Sequence, residues 1–289
     1  MFAYNTAAWL RRFREHGDTI MQARSAGDIL QAKEEGKVGV VLGWQNASPI
    51  ENELDRLALF HSLGVRIIQI TYNERNLLGN GCYERIDEGL SHFGQDAVRE
   101  MNRLGILVDL SHVSPATMND ALDVVEAPVI FSHSAARALT DVPRNVPDEV
   151  LKRVSRNGGV VMVAFVPSFT TKQDMSDWTA PPMPGGPEGE QALVASMRRW
   201  VEENPSPQAT VGDVVDHIDH IRDVAGIDHV GLGSDFDGML SLDAVPEGLE
   251  DVSKYPILAG ELVRRGYSDE DVLKVLGGNV LRVMRGAED

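Results

Sequence analysis

The sequence predicts an α/β fold of the TIM-like (β/α)8 barrel type, on three observations. Six short segments are almost entirely apolar, which is typical of parallel strands that are buried on both faces. Amphipathic stretches with helical spacing separate these segments, and the joints between them are short. A polar residue stands at or just after the end of each apolar segment, where the strands of such a barrel build their functional rim.

The six predicted strands run through most of the chain. They cover residues 38–44, 65–72, 105–112, 128–133, 159–166 and 229–235. A closed barrel of this type has eight strands, and among the first 37 residues only the segment 18–23 could be extended. We therefore expect an incomplete barrel that lacks the first one or two strands. No long linker or repeat interrupts the pattern, so residues 1–289 are predicted to form one domain.

Predicted helices lie between the strands, and their ends carry typical start and stop residues. Leucines at helical spacing predict a helix within 51–64, and a glycine ends the helix predicted within 92–105. A Ser-Pro pair begins the helix predicted at 114–125, and two glycines close the one within 146–159. The Pro- and Gly-rich segment 179–190 is predicted to be an exposed loop.

The composition excludes several classes of function. A net charge of −17 opposes unspecific binding to nucleic acid or to anionic lipid. The single cysteine, Cys82, excludes an internal disulfide and a zinc site built from several cysteines. No apolar run approaches the roughly 20 residues that span a bilayer, and the N-terminus lacks the residue order of a secretion signal. We expect a cytoplasmic protein that binds neither nucleic acid nor membrane.

Two histidines are the first candidates for chemistry. His112 and His133 end consecutive predicted strands, and each directly follows a serine. A single histidine at a strand end is more often a hydrogen-bonded core residue. Two on neighbouring strands would be adjacent on the rim, where neutral imidazoles are natural ligands of zinc or a similar ion. Because two histidines alone hold a metal weakly, further donors should converge from other strand ends.

Asp235 and Arg144 are the next candidates. Asp235 ends the last apolar strand, so its carboxylate could bind a metal or act as the general base for a metal-bound water. The alternative is a helix cap or turn, although Asp237, directly before Gly238, suits a turn better. Arg144 follows His133 by eleven residues, and a guanidinium on the rim could bind a substrate carboxylate through two hydrogen bonds.

Three other features are weaker candidates. His217 and His220 are three residues apart but alternate with aspartates on a predicted helix, which favours a solvated or second-layer role. His16 and Asp18 form a His-x-Asp pair, which lies among charged residues rather than at an apolar strand end. Cys82 has no neighbour in the sequence that would lower the pKa of its thiol decisively. We expect none of the three to bind the metal.

Several longer segments resemble the membrane (renal) dipeptidase family of zinc metallopeptidases. These segments are "GILVDLSHVSPATM", "APVIFSHSAARAL", "PRNVPDEVLK", "HIDHIRDVAGIDHVGLGSDFDG" and a long C-terminal stretch that begins with "EGLEDVSKYPILAGEL". The resemblance runs from about residue 35 to the C-terminus. It implies a TIM-like barrel, akin to the amidohydrolases, in which two zinc ions share the hydroxide that attacks a dipeptide. A homodimer is compatible with it.

The resemblance also assigns roles to single residues. It implies that His112 and His133 are two of the metal ligands. Arg144 matches the arginine that binds the C-terminal carboxylate of the substrate, and Asp235 matches the acidic residue that assists the nucleophilic water. These assignments coincide with the candidates that the strand ends supply.

The chain also departs from the family pattern. Gln45 stands in "VVLGWQNAS" where the family has a metal-bridging glutamate, and a neutral amide cannot supply that bridging charge. Tyr72 stands where the family has a substrate-facing histidine, and the chain begins after the family's first-strand His-x-Asp ligand pair. We therefore expect a divergent, N-terminally shortened member that binds one zinc, or another divalent ion, rather than two. Gln45 and Tyr72 would then face the substrate.

Three hypotheses follow. The first is a metal-dependent hydrolase that cleaves a dipeptide, or a small amide with a free carboxylate, through a metal-activated water. The second is a catalytically silent barrel that binds a small amino-acid-like ligand or serves as a subunit. The third is an amidohydrolase or lyase that acts on a substrate other than a peptide.

Overall fold

A computed structural model describes residues 2–174, 207–239 and 245–288, together with residues 199 and 203. The segment 179–190, for which the sequence predicts an exposed loop, lies outside the described residues. None of the helices in the described part of the chain is both long enough and apolar enough to cross a membrane.

Parallel strands pair in the order of the sequence. Within the described ranges the strands are β1 (Ile20–Gln22), β2 (Val38–Val40), β3 (Leu42–Trp44), β4 (Val65–Gln69), β5 (Leu107–Asp109), β6 (Ile130–Ser134), β7 (Val160–Val163) and β8 (Val230–Leu232). One ladder joins β1 to β2, and the other runs from β3 to β8 without a change of order. Neighbouring strands that follow one another in the chain and run parallel are the arrangement of a TIM-like barrel.

Each predicted strand overlaps a strand of the structure, and only β6 extends beyond its predicted segment, by one residue. The segment 38–44 is divided at Val41 into β2 and β3. The additional strand, β1, lies within 18–23, the part of the first 37 residues whose sequence allows an extended conformation. Among the described residues no ladder joins β8 to β1.

Helices surround the strands. They are α1 (Phe2–Glu15), α2 (Ala26–Glu34), α3 (Asp55–Ser62), α4 (His92–Leu104), α5 (Pro115–Val124), α6 (Asp148–Asn157), α7 (Pro167–Thr170), α8 (Val211–Ala225), α9 (Tyr255–Arg264), α10 (Asp269–Leu273) and α11 (Asn279–Glu288). The Ser114 hydroxyl caps α5 by accepting the N–H of Thr117, an interaction that typically contributes about 1 kcal/mol. Gly105 and Gly158 end α4 and α6 in the left-handed conformation that favours glycine.

The last helix closes one end of the strands. Leu107, Ile130 and Val160, the first residues of β5, β6 and β7, share a buried apolar cluster with Val283 and Met284 of α11. A larger cluster fills the space between the strands and helices α3 to α6, α8 and α9. Apolar side chains of α11 therefore cover the N-terminal ends of these strands, on the side opposite to the polar residues that follow their C-terminal ends.

Candidate metal and carboxylate site

Four predicted site residues meet at the C-terminal ends of β3 to β6. The Nε2 atoms of His112 and His133 lie 2.8 Å apart, and both side chains are buried. The amide Nε2 of Gln45 lies 3.2 Å from Nε2 of His133. The ring of Tyr72 stacks on the imidazole of His112 with a centroid separation of 4.3 Å. The structure thus brings Gln45, Tyr72 and the two histidines into one contact group.

The backbone is strained at two of the predicted site residues. φ is +67° at His112 and +60° at Asp235, in the left-handed region that costs roughly 1–2 kcal/mol for a residue with a Cβ atom. Among the other described non-glycine residues only Glu51 has a positive φ. The carbonyl of His112 accepts the backbone N–H of Cys82 at 2.7 Å, which fixes the turn. Strain of this kind concentrates at functional sites, where the surrounding contacts hold it in place.

Both imidazoles are also bonded through Nδ1. Nδ1 of His112 lies 2.6 Å from Oδ1 of Asn73, and Nδ1 of His133 lies 2.7 Å from the hydroxyl of Ser132. The Ser132 hydroxyl in turn donates to the carboxylate of Asp109, which is buried between β5 and β6. Burial raises the pKa of Asp109, whereas the hydrogen bond from Ser132 lowers it. The two rings are therefore held from behind, with Nε2 directed toward the shared space.

Sequence reasoning missed the three residues behind the rings. Asp109 carried a signal, because it is the one acidic residue in the apolar segment 105–112. Ser132 carried a weaker signal as the residue directly before His133. Asn73 follows Tyr72 in a loop, and no periodicity or spacing distinguishes it from an ordinary turn residue.

Arg144 is a buried cation with free donors. Its side chain is 2% exposed, and Nη2 donates to the backbone carbonyl of His133 at 3.1 Å. The guanidinium lies over the ring of Phe169, 5.0 Å from the centroid. Nε and Nη1 are buried without a hydrogen-bond partner. Leaving buried donors of a charged group unpaired is costly, so these atoms suit an anionic ligand. A carboxylate can accept two parallel hydrogen bonds from Nη1 and the second N–H of Nη2, which lie on the same edge of the guanidinium.

The charge of Arg144 acts on the titratable groups around it. Burial and, to a smaller extent, the charge of Arg144 lower the pKa of His133 to about 3 and that of His112 well below its ordinary value. Burial raises the pKa of Asp235 to about 6, while Arg144 lowers it and Asp237 raises it. At neutral pH both imidazoles are therefore uncharged, the form in which histidine binds a metal.

Asp235 lies beyond the end of β8 and is half-buried. Its carboxylate does not cap the short 3₁₀ helix at 236–238 that it precedes. The pKa of Tyr72 is raised by burial and, to a smaller extent, by the charge of Asp235. Within the described ranges Asp235 makes no hydrogen bond to either histidine, so electrostatics, rather than direct contact, relates it to the other five candidates.

The two imidazoles can hold a metal ion together. Their Nε2 atoms, 2.8 Å apart, are close enough to bind one zinc ion at the usual Zn–N distance of about 2.0–2.1 Å. In the part of the chain that the structure describes, no group of three or more His, Cys, Asp or Glu side chains could hold a metal ion. Catalytic zinc sites usually have three protein ligands and one open position, so the two imidazoles supply one protein ligand fewer than is usual.

The residues expected to be unrelated to the metal lie elsewhere or in a second layer. His16 and Asp18 are exposed in the turn after α1. His220 bonds Asp148 at 2.8 Å, and burial raises the pKa of Cys82 to about 11, so its thiol is protonated.

His217 is buried in α8 and accepts the backbone N–H of Ala136 through Nδ1 at 3.0 Å. Ala136 begins the loop that carries Arg144, so His217 supports that loop from the second layer.

Two neutral imidazoles that can share a metal ion lie at the C-terminal ends of parallel strands, next to a buried guanidinium. This arrangement is that of the metal-dependent hydrolases on a TIM-like barrel. The model of the membrane dipeptidase family, peptidase family M19, matches residues 6–289. The chain belongs to this family, as its motifs predicted.

Curated relatives carry dipeptidase names. The dipeptidase tcpJ of Claviceps purpurea is 42% identical over 97% of this chain and 58% of its own length. The uncharacterized dipeptidase C965.12 of Schizosaccharomyces pombe is 42% identical over 91% of this chain and 56% of its own length. The chain thus spans little more than half the length of the curated relatives it matches.

Solved structures of similar proteins show the same fold. An amidohydrolase from Pseudomonas aeruginosa superposes with a TM-score of 0.82 at 32% identity, over 99% of this chain and 84% of that one. The probable dipeptidase PvdM from the same organism gives 0.83 at 28% identity, over 98% and 78%. A Rhodobacter sphaeroides metallo peptidase, solved with a phosphinate mimic of L-Ala-D-Ala, gives 0.78 at 28%, over 98% and 73%. The predicted TIM-like α/β fold is confirmed.

Proposed function

We propose that the chain hydrolyses a dipeptide, or a small amide that carries a free carboxylate, with one zinc ion held by His112 and His133. The observation that carries this proposal is the pair of Nε2 atoms 2.8 Å apart beside the unpaired donors of Arg144. Membership of the M19 family supports a metallopeptidase, and the names of the relatives support small peptides as substrates.

Arg144 binds the substrate carboxylate. Two N–H groups of one guanidinium match the two oxygens of a carboxylate, and burial strengthens the interaction because water does not compete. Gln45 and Tyr72 face the same space and bind the substrate beside the histidines. The pKa of Tyr72 is raised, so its hydroxyl stays protonated and can donate a hydrogen bond.

Asp235 transfers the proton. The metal, when bound, acts as a Lewis acid and lowers the pKa of a water molecule. Asp235 accepts a proton from the attacking water and passes it to the leaving amine nitrogen. A pKa of about 6 suits this role, since a general base works best when its pKa lies near the working pH.

Metal content tests the metal site. We expect about one zinc ion per chain in the wild type and a large loss in the double variant His112→Ala, His133→Ala. The double variant His16→Ala, His92→Ala removes two exposed histidines and should keep the metal. Elemental analysis after dialysis measures all three proteins. A wild type without metal after reconstitution would contradict the proposal.

Substrate hydrolysis tests the role of the carboxylate. We expect zinc-loaded protein to release free amino acids from L-Ala-D-Ala and to leave its C-terminal amide uncleaved, because the amide cannot pair with Arg144. Equal rates with both compounds would show that no carboxylate is recognised.

A barrel that binds a small amino-acid-like ligand without turnover is the second candidate, and Gln45 favours it. Its amide donates to His133 where a carboxylate would add a third metal ligand. Calorimetric binding of L-Ala-D-Ala by the metal-free wild type, with no amino acid released after zinc is added, would support this candidate over the first.

A further inference from the structure

The partners of His133 determine which of its ring nitrogens carries the proton. Oδ1 of Asp109 accepts the backbone N–H groups of Ser111 and Ser132 at 2.9 and 3.1 Å, and Oδ2 accepts the Ser132 hydroxyl proton. With its proton given to Asp109, the Ser132 oxygen can only accept from His133, so Nδ1 is the protonated nitrogen. Gln45 agrees with this assignment, because its Nε2 is a donor and faces Nε2 of His133 at 3.2 Å.

The same reasoning applies to His112. Its Nδ1 lies 2.6 Å from Oδ1 of Asn73, and an amide oxygen accepts hydrogen bonds but does not donate them. The thiol of Cys82 approaches the same oxygen at 3.8 Å, which also requires an acceptor there. Nδ1 of His112 therefore carries the proton, and its Nε2 has a free lone pair.

Two unprotonated Nε2 atoms thus face each other across 2.8 Å, and the one of His133 also faces the Gln45 amide. Two acceptors at this distance repel, and a cation between them removes the conflict. We propose that Asp109, Ser132 and Asn73 are positioning residues that fix both imidazoles as the Nδ1–H form, so that both Nε2 lone pairs point to one ion. This inference rests on the proposed function only for the identity of the cation as a metal. Partners of this kind orient metal ligands and raise their basicity in other proteins.

Asp109→Asn tests the hydrogen-bond chain from Asp109 through Ser132 to His133 with a side chain of the same shape. The asparagine Oδ1 keeps the two backbone N–H groups, and its Nδ2 then faces the Ser132 oxygen as a donor. The Ser132 proton is then no longer held by a carboxylate, and its donation to Nδ1 of His133 would move the ring proton to Nε2, where it points at His112. The variant is therefore expected to reverse the tautomer of His133 and to block one metal ligand, while the fold is retained.

Two readouts separate a positioning role from a structural one. Long-range ¹⁵N–¹H spectra of histidine rings in metal-free protein report which nitrogen is protonated, and the His133→Gln variant identifies the His133 signals. Zinc affinity is measured by competition with a chelator. We expect protonated Nδ1 in the wild type, protonated Nε2 in Asp109→Asn, and a zinc Kd that rises about 10- to 100-fold in the variant. Asp96→Asn, which removes an exposed carboxylate on α4, should change neither readout.

A second pair of variants tests the inference in case Asp109→Asn does not fold. Ser132→Ala removes the hydroxyl and should weaken zinc binding, whereas Ser132→Thr keeps it and should restore the affinity. A wild-type His133 protonated on Nε2, or equal tautomers and affinities in wild type and Asp109→Asn, would overturn the inference. A wild type that shows the expected tautomers but binds no zinc would instead refute the proposed function and leave the positioning roles standing.

Discussion

Nη2 of Arg144 donates to the backbone carbonyl of His133 at 3.1 Å. The residue that we propose for the substrate carboxylate is therefore tied to the strand end that carries a proposed metal ligand. One hydrogen bond thus sets the position of the guanidinium relative to the two imidazoles. Positioning of this kind matters in catalysis, because a misplacement of about 1 Å can cost about 100-fold in rate.

Arg144→Lys is expected to raise KM for a dipeptide about tenfold or more, which corresponds to about 1.4 kcal/mol of binding. The ammonium keeps the charge but lacks the planar fork that donates two parallel hydrogen bonds to a carboxylate. Steady-state kinetics with L-Ala-D-Ala measures the change. Arg99→Lys, at an exposed ion pair on α4, serves as the control and should leave KM unchanged. An unaltered KM in Arg144→Lys would place the carboxylate elsewhere.

The activity is expected to fall at low pH because Asp235 must be ionised to accept a proton. Its pKa is about 6, so kcat/KM should decrease as the pH falls through that value. Asp237 raises this pKa, and removing its charge in Asp237→Asn should move the acidic limb to lower pH. Rates measured between pH 4.5 and pH 8 would show the shift. In the control Asp96→Asn the acidic limb should not move. A limb that also stays in place in Asp237→Asn would show that a group other than Asp235 causes it.

The fold could largely be predicted from the sequence because parallel strands buried on both faces leave unmistakable apolar runs. The division at Val41 had no signal, since 38–44 is apolar throughout. β1 is three residues long and none of them is fully buried, so it lacks the apolar pattern that marks the other strands. Short edge strands of this kind are determined by pairing with a neighbour, here β2, rather than by their own residues.

Of the candidate site, the strand-end residues could be named from the sequence, but their contacts could not. His112 and His133 could be expected on one rim because adjacent strand ends meet there. The Nδ1 partner of His112 depends on the left-handed turn at that residue and on Asn73, 39 positions earlier in the chain. Neither feature leaves a local pattern, whereas the serine before His133 was visible but had no assigned role.

Gln45→Glu is expected to tighten zinc binding. A carboxylate in place of the amide, 3.2 Å from Nε2 of His133, would add an anionic ligand beside the histidine pair. We expect the zinc Kd to fall about tenfold or more, since even a residue that only supports a metal ligand typically changes the affinity about 10- to 100-fold. Competition with a chelator measures Kd, and elemental analysis shows whether a second ion enters.

Gln173→Glu, at an exposed position, is the matched control for the added charge in this experiment. The control should leave the zinc Kd unchanged. An unchanged Kd in Gln45→Glu as well would show that a side chain at position 45 does not reach the ion.

Acid is expected to weaken the fold through His217. Burial lowers its pKa to about 4, and neutral Nδ1 accepts the N–H of Ala136 at the start of the Arg144 loop. Between the unfolded value of about 6.5 and the folded value the unfolded chain binds more protons, so the free energy of unfolding falls as the pH falls through this window. The loss attributable to His217 is about 2–3 kcal/mol when the pH reaches 4.

In His217→Asn an amide oxygen replaces Nδ1 as the acceptor but does not titrate, so the variant should lose less stability than the wild type between pH 7 and pH 4. Urea unfolding at several pH values measures the difference, and His16→Asn, at an exposed histidine, should follow the wild type. Parallel pH curves for the wild type and His217→Asn would show that His217 is not held neutral in the folded protein.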